Sequence, residues 1–314
     1  MANPENNMRL VDPAVALQEI ADAVPTACRK HVIIIGSLAA GYYYRDQLKG
    51  MAVRTKDADC LLSPRVAALK AGIAIAEELR DAGWEFKKTK GHKVPGTEDT
   101  PDAELPAVRL SPPGKIEWFI ELLTVPESPG DRGPRWTRLK TKYGDFVLPS
   151  FRFLSLANLD PVATEMGISI ARPEMMALAN LLEHPEIKTD TMSGGFADRM
   201  DIKRSNKDLG RVLAIARLAM GRDEDALQSW PALWKTALQD RFPDEWRVLA
   251  GRAGQGLRVL LANEQEQDLE QALYTCANGL LASKKPTLTQ LRITGGRLLQ
   301  DAIKPLEAEA RKRA

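Results

Sequence analysis

Four β-branched residues in a row, Val32-Ile33-Ile34-Ile35, form the first strong apolar feature of the chain, and Gly36 ends it. The composition is that of a strand covered on both faces, although so short a run also suits a buried helix segment. Upstream, Asp12 reads as an N-cap and Pro13 as the first helical position. Val15, Ile20 and Val24 share one face of that helix, which stops near Pro25. A second apolar stretch, Cys60-Leu61-Leu62, follows Asp57 and Asp59 and runs into Ser63-Pro64. That pair predicts a cap and first turn for a helix ending at Gly83.

Trp84 to Lys88 and Ala107 to Leu110 read as further strands, separated by a loop over 91–106 rich in glycine, proline and charge. The clearest later strand is Ile116 to Val125. Alternation sets Ile116, Trp118, Ile120 and Leu122 on one face and Glu117, Phe119, Glu121 and Leu123 on the other. Residues 126–145 read as loop, and FVLPSFRFLSL as a mixed segment leading to a boundary near 165. From Pro173 onward, Leu/Ala/Arg/Glu segments interrupted by Gly194-Gly195, Pro231, Pro243 and Pro286 predict helices. The expected organisation is an α/β domain over 1–165 and a helical domain over 166–314.

A length of 314 residues suits two such domains, since single cores stop growing at roughly 250–300 residues. The net charge of +2 gives no global field for nucleic acid. Any such contact must be local. Two stretches mix cations with stacking residues as RNA-binding surfaces do. One is Lys87-Lys88-Thr89-Lys90 near Trp84 and Phe86, and the other runs over Arg132, Arg135, Arg138, Lys140 and Lys142 around Trp136 and Tyr143. Cys28, Cys60 and Cys276 are too few and too scattered for a disulfide framework or a metal knuckle, which predicts a reducing, cytoplasmic setting. No secretory leader or membrane span is expected. His31 reads as structural, His92 and His184 as exposed, and Tyr42-Tyr43-Tyr44 as helix packing.

The candidate chemistry lies in the spacing of acids. Asp57 and Asp59, two apart on a strand, project from the same side while Ala58 and Cys60 face the other. Like charges so close repel and call for a cation, and hard oxygen ligands without clustered His or Cys favour Mg²⁺ over zinc. Gly36 lets a backbone approach closely, and Ser37 offers a hydroxyl and an N–H to a phosphate. Lys203, Lys207 and Arg211 fall at i, i+4 and i+8 on one helical stripe, the common pattern of a solvated face.

IIIGS at 33–37, KDADCLL at 56–62 and FIELL at 119–123 together resemble the DNA polymerase β superfamily of nucleotidyltransferases. Arg54-Thr55-Lys56-Asp57-Ala58-Asp59 looks like the Arg-x-(Ser/Thr)-x-Asp-x-Asp form of its AbiEii-type abortive-infection toxins. Pro173-Glu174, and the segment holding Lys203, Lys207 and Asp208, are similar to their later motifs. The lysine such toxins carry in the Pro-Glu helix is absent from MMALANLLEH.

The resemblance implies a polymerase-β-like mixed sheet with flanking helices. It also implies Asp57, Asp59 and Glu121 as ligands of two Mg²⁺ ions, with Glu117 the rival third acid. Gly36 and Ser37 would receive the triphosphate of an NTP, and Lys203 or Lys207 would neutralise pyrophosphate, with Asp208 beside them. The activity expected from it is transfer of a nucleotide to an acceptor, for instance RNA such as a tRNA, in a toxin-antitoxin or phage-defence role with a cognate antitoxin partner. Two alternatives are an idle nucleotidyltransferase fold acting as a binding module, and nucleotidylation of a small molecule.

Overall fold

The computed structural model describes residues 9–48, 53–55, 57–88, 91–114, 118–128, 135–184, 191–192, 202–262 and 266–312. After β1 (Arg9–Val11) comes α1 (Pro13–Ala23), capped as its sequence predicts: the Asp12 carboxylate accepts from Ala14 N at 2.8 Å and from Val15 N at 3.4 Å. The buried stripe of α1 runs through Leu17, Ile20 and Ala21, with Val24 just beyond, so Val15 faces outward, 57% exposed. Past the short α2 (Thr26–Arg29), Val32–Ile35 is a strand, β2, with its first three residues buried.

The chain then forms α3 (Gly36–Tyr43), α4 (Arg45–Leu48), β3 (Val53–Thr55), β4 (Asp57–Leu62) and α5 (Arg65–Asp81). The tyrosine run packs as expected: Tyr42 and Tyr44 are buried, and the Tyr42 hydroxyl donates to Glu165 Oε1 at 2.8 Å. Ser63 does not cap α5. Its Oγ meets Asn158 Nδ2 at 3.2 Å instead, and the helix begins behind Pro64 with no side-chain cap. Gly83 takes the left-handed conformation, φ +88°, just past the helix end.

β5 (Glu85–Phe86), β6 (Arg109–Ser111) and β7 (Phe119–Thr124) are shorter than the alternating pattern predicts; Ile116 and Glu117 lie outside the described residues. The stretch expected as loop contains most of a hairpin, β8 (Arg135–Thr141) and β9 (Gly144–Ser150). Charge hides it in the sequence: of β8 only Leu139 is buried, opposite Phe146. After α6 (Leu154–Ala157) come β10 (Val162–Ala163) and β11 (Ser169–Ile170).

Seven strands form one mixed sheet in the order β10-β11-β2-β4-β7-β6-β5. β2 runs antiparallel and β7 parallel to β4. Parallel neighbours need a long crossover, which α5, β5 and β6 supply. Since β11 pairs with β2, the sheet extends past the boundary expected at 165. One face of the sheet is covered by α5, which buries Ala68, Ala71, Gly72, Ile75, Ala76 and Leu79 at helical spacing.

The remainder is helical, as its composition predicts: α7 (Pro173–Glu183), α8 (Arg204–Arg222), α9 (Trp230–Arg241), α10 (Trp246–Arg252), α11 (Gln255–Leu261), α12 (Glu266–Ala277), α13 (Leu288–Arg297) and α14 (Lys304–Arg311). α8 is buried along most of its length, and the core is one continuous apolar cluster from Leu17 to Leu306. Gly194-Gly195 lies outside the described residues. Among the described residues no helix is long and apolar enough to cross a membrane.

Candidate functional site

β2 and β4 meet so that Ile35, the last residue of β2, stands opposite Asp59. β7 lies on the other side of β4 in a register that puts Glu121 opposite Asp59. Side chains at such paired positions point to the same face of a sheet. Asp57, Asp59 and Glu121 therefore converge, with carboxylate oxygens all within 4.8 Å of one another and each side chain partly buried. Thr55 fixes the first of them: its hydroxyl donates to the main-chain oxygen of Asp57 at 2.7 Å.

Two unit charges under 5 Å apart repel by roughly 3–4 kcal/mol at an effective dielectric of about 20, so three ionised carboxylates here need cations. Burial, then the charges of Asp57 and Glu121, hold the Asp59 carboxyl well above the ordinary aspartate range, with Arg211 and Lys207 pulling the other way. Glu121 is raised too, chiefly by burial, although Arg109 opposes it through an ion pair of 2.9 Å.

The residues fit a hard divalent ion. All donors are carboxylate oxygens, Arg109 makes a direct ion pair to one of them, and Gly36 leaves room at the pair, because a Cβ there would lie 3.3 Å from Asp59 Oδ2.

Gly36 adopts φ +76° and opens α3, whose N-terminus has no side-chain cap. Its own N–H meets Met176 Sδ at 3.2 Å. The following N–H groups of the first turn are the orphan donors of a helix end, and Gly36 and Ser37 of that turn line one cavity with Asp57 and Asp59.

Asp57 and Asp59 line a cavity of about 250 Å³, and Glu121 stands behind them without lining it. Its walls are Ser37 and Ala40 of α3, Leu154 and Ala157 of α6, Met176 and Asn180 of α7, and Lys207, Arg211, Ala214 and Ile215 of α8. The four α8 residues recur at i, i+4, i+7 and i+8, one face of the helix. The cavity thus joins a carboxylate cluster, two cations and an apolar compartment. Burial, then Arg211, lowers the Lys207 ammonium to about 8.

Lys203 stands apart from this group. It precedes the first helical residue, so its side chain leaves the α8 face and pairs with Asp268 of α12 at 2.9 Å. Asp208 is next to Lys207 in sequence but about 100° around the helix. It is buried between Arg204 at 3.8 Å and Arg211 at 3.5 Å and does not line the cavity. Arg211, read as part of a solvated stripe, lines it instead, as do Met176 and Asn180, which no motif signalled. Arg109 was invisible because only the β6–β7 pairing brings it to Glu121. A basic residue within reach in sequence of the third acid is too common a pattern to mark it.

The basic surface of the hairpin is largely self-neutralised. Arg138 pairs with Asp102 and Asp145, both at 2.7 Å, and Lys140 with Glu98 and Lys142 with Asp81, each at 2.5 Å. Trp136 remains 44% exposed. Lys87 lies 4.4 Å above the Phe119 ring, while Thr89, Lys90 and Arg132 lie outside the described residues. His92 is exposed, but His184 is half-buried against Gly256, and burial lowers its pKa. The three cysteines are free and buried.

Comparison of the chain with protein-family models, with curated proteins and with solved structures finds no match in any of the three.

Proposed function

We propose that the chain is a divalent-metal-dependent nucleotidyltransferase of polymerase-β-like fold. The observation that carries this reading is the convergence of Asp57, Asp59 and Glu121, of which Asp57 and Asp59 line a cavity together with the first turn of α3, Lys207 and Arg211. An NTP is complementary to that sequence of surfaces: polyphosphate to the cations and helix end, and base and sugar to the apolar compartment.

Magnesium held by Asp57, Asp59 and Glu121 would supply Lewis-acid stabilisation of the charge that develops at the phosphoryl centre. The chain's own groups do the rest. Ser37 and the first-turn N–H groups of α3 orient the polyphosphate. An acceptor hydroxyl forms a bond to the α-phosphorus as the bond to pyrophosphate breaks, and its proton leaves to solvent. Lys207 and Arg211 neutralise the departing pyrophosphate, and the walls from α6, α7 and α8 exclude water from it. Acceptors in keeping with the resemblance are RNA, a protein partner or a small molecule.

A second reading, an idle fold that binds nucleotide without transferring it, draws support from α7, which turns Met176, Ala179 and Asn180 toward the cavity and carries no lysine. One experiment separates the two. The protein is incubated with each NTP labelled on the α-phosphate, Mg²⁺ and total RNA, protein or small-molecule extracts. Label transfer that disappears in Asp57→Ala supports the enzyme; nucleotide binding with no transfer to any acceptor supports the idle fold.

A further inference from the structure

Ile35, Asp59, Glu121 and Arg109 form one lateral row across β2, β4, β7 and β6. Neighbouring strands are about 4.8 Å apart, so this row sets a cation one strand beyond the last carboxylate. We infer that Arg109 is a built-in counter-cation at Glu121 that leaves the acid cluster with one tight divalent-ion site, on Asp57 and Asp59, and a second, weak one that includes Glu121. The inference rests on the metal-dependent reading above.

Three observations support it. The guanidinium makes a direct ion pair with Glu121, Nη2 to Oε1 at 2.9 Å, whereas neither Asp57 nor Asp59 has an ion pair of this kind among the described residues. Arg109 is also held in place by more than that pair: its guanidinium lies 5.7 Å from the centroid of Phe119, two residues before Glu121 on the same face of β7. Last, its Nε is buried with no hydrogen-bond partner among the described residues. A side chain selected only to tie two strands together would be expected to satisfy that donor. Here the fork sacrifices one donor to bring another onto the carboxylate.

The cations facing the cluster from other elements act at longer range. Arg211 and Lys207 on α8 bear on Asp59 through their charges, and Arg204 does so on Glu121. Among the described residues Arg109 makes the direct ion pair to Glu121, so it is the group an incoming second ion must displace or share Glu121 with. It acts through Glu121 as a positioning residue, and it makes full loading conditional on further ligands, such as those a bound nucleotide brings.

The test is titration of the full chain with Mn²⁺ in the absence of nucleotide, read by calorimetry and by the paramagnetic signal of free ion. Wild type is expected to take one ion tightly and a second about tenfold or more weakly. Arg109→Met keeps the aliphatic stem over Phe119 and removes the charge; it should tighten the second ion about tenfold, giving two equivalents. Arg109→Lys should behave as wild type, and Arg109→Gln repeats the test if the methionine variant does not fold. Two equally tight ions in wild type, or an unchanged second ion in the charge-removing variants, would overturn the inference while leaving the metal-dependent reading intact. Absence of Mn²⁺ binding in both wild type and the variants would instead bring down that reading and the inference with it.

Discussion

Asp59 on β4 and Glu121 on β7 are direct partners across a parallel strand pair, although 61 residues lie between them in the chain. That register delivers the third carboxylate to the first two, and it makes Glu121 the residue whose loss separates an enzyme from an idle fold. Glu121→Gln keeps shape and hydrogen-bonding capacity while removing the charge. Transfer should fall roughly 100- to 1,000-fold with nucleotide affinity little changed, measured as single-turnover label transfer beside equilibrium binding. A variant that transfers at the wild-type rate would remove Glu121 from the site.

Gly36 is required on two counts, its positive φ and the approach of its α-carbon to Asp59. Gly36→Ala should cost about 1–2 kcal/mol of stability, because a Cβ is strained in the left-handed region. It should also weaken binding of metal with nucleotide, because the added methyl crowds Asp59 Oδ2 at 3.3 Å. Denaturant unfolding and Mg²⁺-ATP titration check the two effects separately.

Asp59 sets the sign of a pH effect. Its carboxyl lies above the ordinary value of 3.8, so between that value and the raised one the folded chain keeps a proton the unfolded chain has lost. Metal-free stability should therefore fall as pH rises through that window. Mg²⁺ should restore more of it the higher the pH. Asp59→Asn removes the buried charge, and at pH 7–8 without metal it should melt roughly 2–4 °C above wild type for each kcal/mol relieved. The same variant should lose all Mg²⁺-dependent stabilisation. A lower melting point than wild type would show that the carboxylate is stabilising without an ion.

Lys207 titrates near 8 in the free protein, so it carries its charge below that pH and loses it above. Capture of nucleotide, followed as kcat/KM or as the binding rate, should weaken as pH rises through about 8. Lys207→Arg should flatten the profile, since arginine stays charged. Lys207→Ala should be weak at every pH. On stability the sign is opposite to that of binding: a lysine depressed from 10.5 favours folding more as pH climbs from about 8 toward 10.5. Thermal scans across that range, wild type beside Lys207→Ala, read it.

What the sequence determined by itself was local. Val32 to Ile35 could only be a covered strand or a buried helix turn, Asp12-Pro13 began a helix, and alternation put Asp57 and Asp59 on one face whatever packed there. These depend on bond geometry, side-chain branching and capping, which act over a few residues. The tertiary structure decided what those residues meet. It set Glu121 opposite Asp59 and Arg109 opposite Glu121 through strand registers spanning tens of residues, which no short-range pattern encodes. It divided the basic stripe of α8 by a rotation about the helix axis and the helix start, sending Lys207 and Arg211 into the cavity and Lys203 to Asp268. It also spent the cations of the β8–β9 hairpin on acids from distant loops, because opposite charges pair by proximity in space and the chain order of Asp81, Glu98 and Lys142 carries no record of that proximity.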